Sequence, residues 1–156
     1  MGYIIGVLLQ TVVLPIVSGT IELVTIGGNP VEVYGRWWVF WGVGTRLLVA
    51  GLVQLLRPET TAAILGTEQP GVSELLVARE LSTANLGMGL AGLLALHPDW
   101  AAPAGAAGGV FLLIAGLMHI TKRGKNAQET LATWTDLLVG TVTLIFVTYT
   151  AVQLLF

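Results

Sequence analysis

Five stretches of this sequence are long and apolar enough to cross a lipid bilayer as helices. A transmembrane helix needs about 20 predominantly apolar residues, because the hydrocarbon core of a bilayer is about 30 Å thick. Only 10% of the residues are charged and the mean hydropathy is +0.82, too few charges to cover a water-soluble surface. The sequence therefore predicts an all-α membrane protein, a single domain over residues 1–156, with spans at about 3–25, 37–56, 74–96, 100–121 and 131–155.

Composition and spacing exclude several classes of chemistry. The net charge is −2 without a basic block, which argues against nucleic acid as a partner, and the absence of cysteine excludes disulfides and thiolate metal sites. His97 and His119 lie at opposite ends of one predicted span and cannot share a haem. The glycines are spread along helices and do not form a phosphate-binding loop. These exclusions identify no catalytic residue and no metal site. They favour a non-enzymatic protein over an enzyme, which stays open as the third hypothesis, and the expected cofactor is either none or a bound quinone or lipid.

The basic residues predict how the chain is oriented. Lysine and arginine collect on the cytoplasmic side of membrane proteins. Arg36 alone flanks one end of the predicted spans. The other end has five basic residues: Arg57, Arg79, Lys122, Arg123 and Lys125. This asymmetry predicts a multi-pass protein with a cytoplasmic N-terminus and a C-terminus on the periplasmic or extracellular side.

The longest connection, residues 57–73, contains a predicted short helix on the cytoplasmic surface. It covers residues 58–65, with proline and an acid in its first turn, and is closed by Gly66. Proline early and glycine just after the last turn are typical helix ends.

Ionisable residues inside the predicted spans are the strongest indication of a site. Such residues are costly at membrane depth and are therefore functional candidates. Arg46 is near the middle of its span, where an arginine costs about 2.5–3.5 kcal/mol on insertion scales, so it should face protein and pair with a carboxylate.

Helical spacing predicts which of these residues meet. Arg46, Glu80, His119 and Asp136 each share a helix face with glycine, alanine or threonine, and small residues mark the faces on which membrane helices pack. All four are therefore expected to point into one bundle interior, in its cytoplasmic half. The predicted constellation, a ligand-binding or proton-relay site, is Arg46, Glu80, Asn85, His119 and Asp136. Three secondary candidates are Gln54 near the inner face, Arg79 at the lipid headgroups, and Glu22, separate at the outer end.

Several short motifs resemble those of small bacterial inner-membrane proteins grouped as a family of unknown function, loosely DoxX-like. The similar stretches cover most of the chain from Trp37 to Asp136. They are Trp38…Phe40-Trp41-Gly42-Val43-Gly44-x-Arg46, Arg57-Pro58-x-Thr60-Thr61-Ala62, Arg79-Glu80-Leu81, Ala84-Asn85-Leu86-Gly87, Ala115-Gly116-Leu117-Met118-His119-Ile120, and Asn126…Glu129 followed by Asp136. The resemblance implies a helical bundle in the inner membrane and no particular activity.

Three interpretations of the polar cluster remain open at this point. A buried ion pair between arginine and an acid can simply fix helix packing. The leading functional hypothesis is a non-enzymatic accessory or interaction subunit, or a binder of a small lipophilic molecule such as a quinone or a lipid. The alternative is a small proton-coupled transporter or channel that uses the intramembrane carboxylates and the histidine. The expected partners are the bilayer itself, other membrane proteins or further copies of this chain.

Overall fold

The chain folds into a helical bundle, as predicted. A computed structural model describes residues 2–64, 67 and 69–156, and its described residues contain helices and no strand. Five long helices are α1 (Gly2–Thr25), α2 (Pro30–Leu56), α4 (Val72–Leu93), α5 (Pro98–Thr121) and α6 (Ala127–Leu155). The short helix α3 is Pro58–Ile64. It confirms the helix predicted in the connection, whose last residue, Leu65, and closing Gly66 lie outside the described residues.

Four of the long helices are apolar and long enough to cross a membrane: α1, α2, α5 and α6. Helix α4, which corresponds to the predicted span 74–96, is long enough but is not among these four. It carries Arg79 and Glu80 on its exposed surface and Ser82 and Asn85 on its buried one, which lowers its hydropathy. Its neighbours in the bundle accommodate Ser82 and Asn85, whereas Arg79 and Glu80 stay on the outer surface.

The five long helices alternate in direction. Contacts between α2 and α4 run from Gly44 beside Gly92 to Gln54 beside Asn85, so the two helices are antiparallel over their length. A 3₁₀ turn at Leu94–Leu96 joins α4 to α5, and α5 packs antiparallel to α6. The end at which α2 and α5 finish and α4 and α6 begin is called the basic end here. It carries Arg57, Arg79, Lys122, Arg123 and Lys125.

The core depends on small residues that allow close helix approach. Gly108 of α5 faces Val43 of α2, and Gly42 faces Val139 of α6. These contacts surround a buried apolar cluster that includes Val39, Val43 and Val139, each fully buried. Close packing of this kind replaces the hydrophobic driving force that helices lack in lipid. This cluster extends from the middle of the bundle to the end opposite the basic end, where Ala95 and Ala101 belong to it.

Candidate functional site

A cavity of about 500 Å³ opens within the basic end of the bundle. Its apolar lining comes from several helices and includes Val7, Leu47, Phe111 and Leu112. Its polar lining comprises Tyr3, Gln10, Arg46, Gln54, Thr60, Thr61, Asn85, His119, Glu129 and Asp136. The cavity thus brings together four of the five predicted constellation residues and one of the three secondary candidates, Gln54.

Arg46 and Asp136 form a buried ion pair on one side of this cavity. The Arg46 Nη2 donates to the Asp136 carboxylate and, at 3.1 Å, to Thr135 Oγ1. The two residues are only 9% and 7% exposed. Asp136 lies on the face of α6 that also buries Thr133 and Gly140, which is why it points inward. The prediction that Arg46 pairs with a carboxylate is confirmed.

Asn85 and Gln54 form a second buried polar pair. The Asn85 Nδ2 donates to Gln54 Oε1 at 2.6 Å, and the residues are 3% and 8% exposed. Gly51, one turn before Gln54, sits directly against Ser82 and Leu86 of α4. That close approach brings the two short amide side chains within hydrogen-bond distance.

The third polar group joins His119 to an acid that the sequence analysis did not select, Glu129. The His119 Nδ1 lies 3.4 Å and the Lys122 Nζ 2.8 Å from Glu129 Oε1. Glu129 is 1% exposed. It lies in the first turn of α6, where its backbone N–H donates to the capping side chain of Asn126 at 2.8 Å.

Glu129 was missed because residues 122–130 read as a polar connection outside the membrane. A usable signal was its spacing. Glu129, Thr133 and Asp136 lie four and three residues apart and so share one helix face. The same Asn126 also donates to the carbonyl of Ile64 at 2.9 Å, and so holds α3, with its Thr60 and Thr61, over the cavity.

Glu80 does not join the cluster, contrary to the predicted orientation. Glu80 is exposed and does not line the cavity, and its neighbour Arg79 is exposed as well. Helix α4 has two stripes of small residues, and the one that packs on α2 contains Ser82, Asn85, Gly89 and Gly92. The stripe that starts at Glu80 and continues through Ala84 and Gly87 faces outward.

Glu22 belongs to a separate group at the opposite end of the bundle, as expected. Its carboxylate accepts from Arg36 Nη2 at 2.5 Å and from Trp37 Nε1 at 2.7 Å. These contacts join α1 to α2. The Glu22 carboxylate is already occupied by two donors of the same protein, which is typical of a structural contact.

The charged groups around the cavity compensate one another. Arg46 is paired with Asp136, and Glu129 with Lys122 and His119. Among the described residues there is no group of three His, Cys, Asp or Glu side chains placed to hold a metal ion. The arrangement offers hydrogen bonds without a surplus of either charge.

Comparison with known proteins identifies a family for this chain. No curated protein and no solved structure matches the sequence. A family model described as "Family of unknown function (DUF6790)" matches residues 1–153, which is nearly the whole chain. This protein therefore belongs to the DUF6790 family.

Proposed function

We propose that this protein binds a small lipophilic molecule in the cavity at the basic end. The observation that carries the proposal is a cavity of about 500 Å³ with a mainly apolar wall and a few buried polar groups. Small-molecule sites have volumes of about 300–1,000 Å³ and this same combination of apolar wall and few polar groups. A purely structural ion pair would need no such space beside it.

The exposure of the lining residues supports entry from the bilayer. Val49, Val53 and Leu81 line the cavity and are 49%, 37% and 38% exposed, so the cavity wall is not closed off along these residues. Exposed apolar residues face lipid tails in a membrane protein. A lipophilic molecule would therefore reach the site sideways, without crossing water. This function suits an accessory subunit that holds a lipid-phase molecule for a membrane partner.

The first test fills the cavity at Gly6. A Cβ added at this cavity-lining position meets no atom within 4 Å, so Gly6→Leu should fold and occupy part of the volume. We expect it to retain the melting temperature of the parent or exceed it, since leucine favours a helix over glycine by roughly 1 kcal/mol. Native mass spectrometry of protein in nanodiscs of bacterial polar lipids should show a bound lipophile on the parent and little on the variant.

Gly87→Leu is the matched control for this test. Gly87 also has open space around it, but it lies on the outward face of α4 and does not line the cavity. It should retain the bound molecule. Equal retention by both variants would place the molecule outside the cavity, and an empty parent would argue against the proposal. Proton flux through the parent in liposomes would favour the transporter alternative.

We further propose that the protein lies in the bacterial inner membrane with its basic end in the cytoplasm. Five lysine or arginine residues at that end, against Arg36 at the other, support this orientation. The motif resemblance supports the bacterial location and the looser relation to DoxX-like proteins. Alternation of the five long helices puts the two termini at opposite ends of the bundle.

Reporter fusions test the orientation directly. A periplasmic reporter fused after Phe156 should be active, and a cytoplasmic reporter inserted at Gly124 should be active too. Gly124 lies in the turn between α5 and α6 with φ +73°, and a Cβ added there meets no atom within 4 Å, so the insertion should be tolerated. The opposite pattern of activity would reverse the proposed orientation.

A further inference from the structure

Three buried polar atoms of the cavity-lining residues lack a hydrogen-bond partner among the described residues: Arg46 Nη1, Asn85 Oδ1 and Glu129 Oε1. Glu129 Oε1 is nevertheless held in an ion pair, with Lys122 Nζ at 2.8 Å. This leaves Arg46 Nη1 and Asn85 Oδ1, which no described group satisfies. Their residues are 9% and 3% exposed. One atom is a donor and the other an acceptor.

Atoms of this kind indicate what the cavity takes up. The large majority of buried polar side-chain atoms in folded proteins are hydrogen-bonded, because burying one without a partner is costly. Arg46 uses its Nη2 on Asp136 and Thr135, and Asn85 uses its Nδ2 on Gln54. Arg46 Nη1 and Asn85 Oδ1 have no described partner and both residues line the cavity, so a molecule bound there is the candidate partner.

Charge further restricts the head group of that molecule. The cationic Arg46 is already neutralised by Asp136, and the acid Glu129 by Lys122. A charged head group would enter a buried site without an opposite charge to balance it, and burying an uncompensated ion is strongly unfavourable. The cavity therefore suits an uncharged head.

We infer that the ligand is an uncharged lipophile with a hydroxyl-bearing head that accepts from Arg46 Nη1 and donates to Asn85 Oδ1. This inference rests on the proposed function. A hydroxyl group both donates and accepts a hydrogen bond, so it can satisfy both Arg46 Nη1 and Asn85 Oδ1. An ester only accepts, so it can satisfy Arg46 Nη1 and leaves Asn85 Oδ1 unpaired. Two sources share this chemistry, the hydroxyl of an acylglycerol and the hydroxyls of a quinol.

A series of probes with one tail and different heads tests the inference on the unmodified protein. Oleyl alcohol, methyl oleate, oleate and oleylamine have an 18-carbon chain and differ in hydrogen bonding and charge. We expect oleyl alcohol to bind about tenfold more tightly than methyl oleate, which leaves Asn85 Oδ1 unpaired, and more tightly than either ion. Binding is measured by melting shifts in detergent as each probe is titrated.

The outcomes separate this inference from the proposed function. Tightest binding of oleate or oleylamine, or equal binding of oleyl alcohol and methyl oleate, would overturn the inferred head group while a lipophile-binding function stands. If none of the four probes binds, both fail. Mono-oleoylglycerol and a short-tailed quinol form the last arm. The one that binds better than oleyl alcohol identifies the source, and if both bind worse than methyl oleate, the inferred head group is wrong.

A double substitution tests the role of the amide pair. Gln54→Leu with Asn85→Leu replaces both hydrogen-bonding partners with apolar groups, a change that is nearly neutral for stability when shape is kept. We expect the preference for oleyl alcohol over methyl oleate to fall from about tenfold to about threefold or less, with methyl oleate still bound. The control is Ser82→Ala, a buried α4 position outside the cavity, which should keep the preference. An unchanged preference in the double variant would contradict the assignment of Asn85.

Discussion

Arg46→Met is expected to destabilise the folded protein by about 3–5 kcal/mol, because it leaves the carboxylate of Asp136 buried without its counter-charge. Asp136 is 7% exposed, so water does not readily replace the lost donor. The hydroxyl of the adjacent Thr135 already donates to backbone carbonyls of α6 and is not free to donate to the carboxylate. Methionine keeps much of the aliphatic volume of arginine, so the lost stability measures the effect of removing the charge and its hydrogen bonds. The measurements are the melting temperature in detergent and the yield from membranes.

Second-site substitutions identify the partner of Arg46. Asp136→Asn added to Arg46→Met should recover part of the lost stability, because the uncompensated charge is removed. Glu80→Gln should recover none, since Glu80 is exposed and does not line the cavity. Arg79→Met, an exposed arginine of α4, controls for loss of an arginine as such and should change stability little. A fully stable Arg46→Met, or equal rescue by Glu80→Gln, would show that the ion pair is wrongly assigned.

Gly92→Val is expected to separate α4 from α2 and to cost about 3 kcal/mol or more, at the upper end of the overpacking range. A Cβ at position 92 would lie 2.5 Å from the backbone nitrogen of Gly44 and 2.6 Å from its Cα. These are backbone atoms of the facing helix and cannot rotate away as a side chain would. The expected result is a large drop in melting temperature and in expression.

Gly87→Val isolates the packing effect from helix propensity. It lies in the same helix, pays the same cost of a β-branched residue, and has no atom within 4 Å of its Cβ. The difference in melting temperature between the two variants therefore measures the contact with Gly44. Equal melting temperatures would mean that α2 and α4 do not approach closely at this level.

The sequence alone predicted the helices and most of the polar cluster, for a specific physical reason. Only a helix satisfies its own backbone hydrogen bonds within about 20 apolar residues, so length and hydropathy determine the element. Arg46, His119 and Asp136 each had a small-residue stripe that matched the face they turn toward the cavity. Gln54 was predicted near the inner face and Asn85 within the constellation, and it is the structure that pairs them.

The tertiary structure decided which face of each helix is buried and what the buried groups bond to. The spacing of small residues shows which residues share one face of a helix, but it does not show which face packs against a neighbouring helix. Helix α4 has two stripes of small residues, and spacing alone does not distinguish them. Gly44 and Gly51 of α2 fit only beside the stripe of Gly92, Gly89 and Ser82, and this contact turns Glu80 outward. The burial of Glu129 at the start of α6, and the unpaired atoms of Arg46 and Asn85, likewise depend on distances between helices that no spacing along the chain encodes.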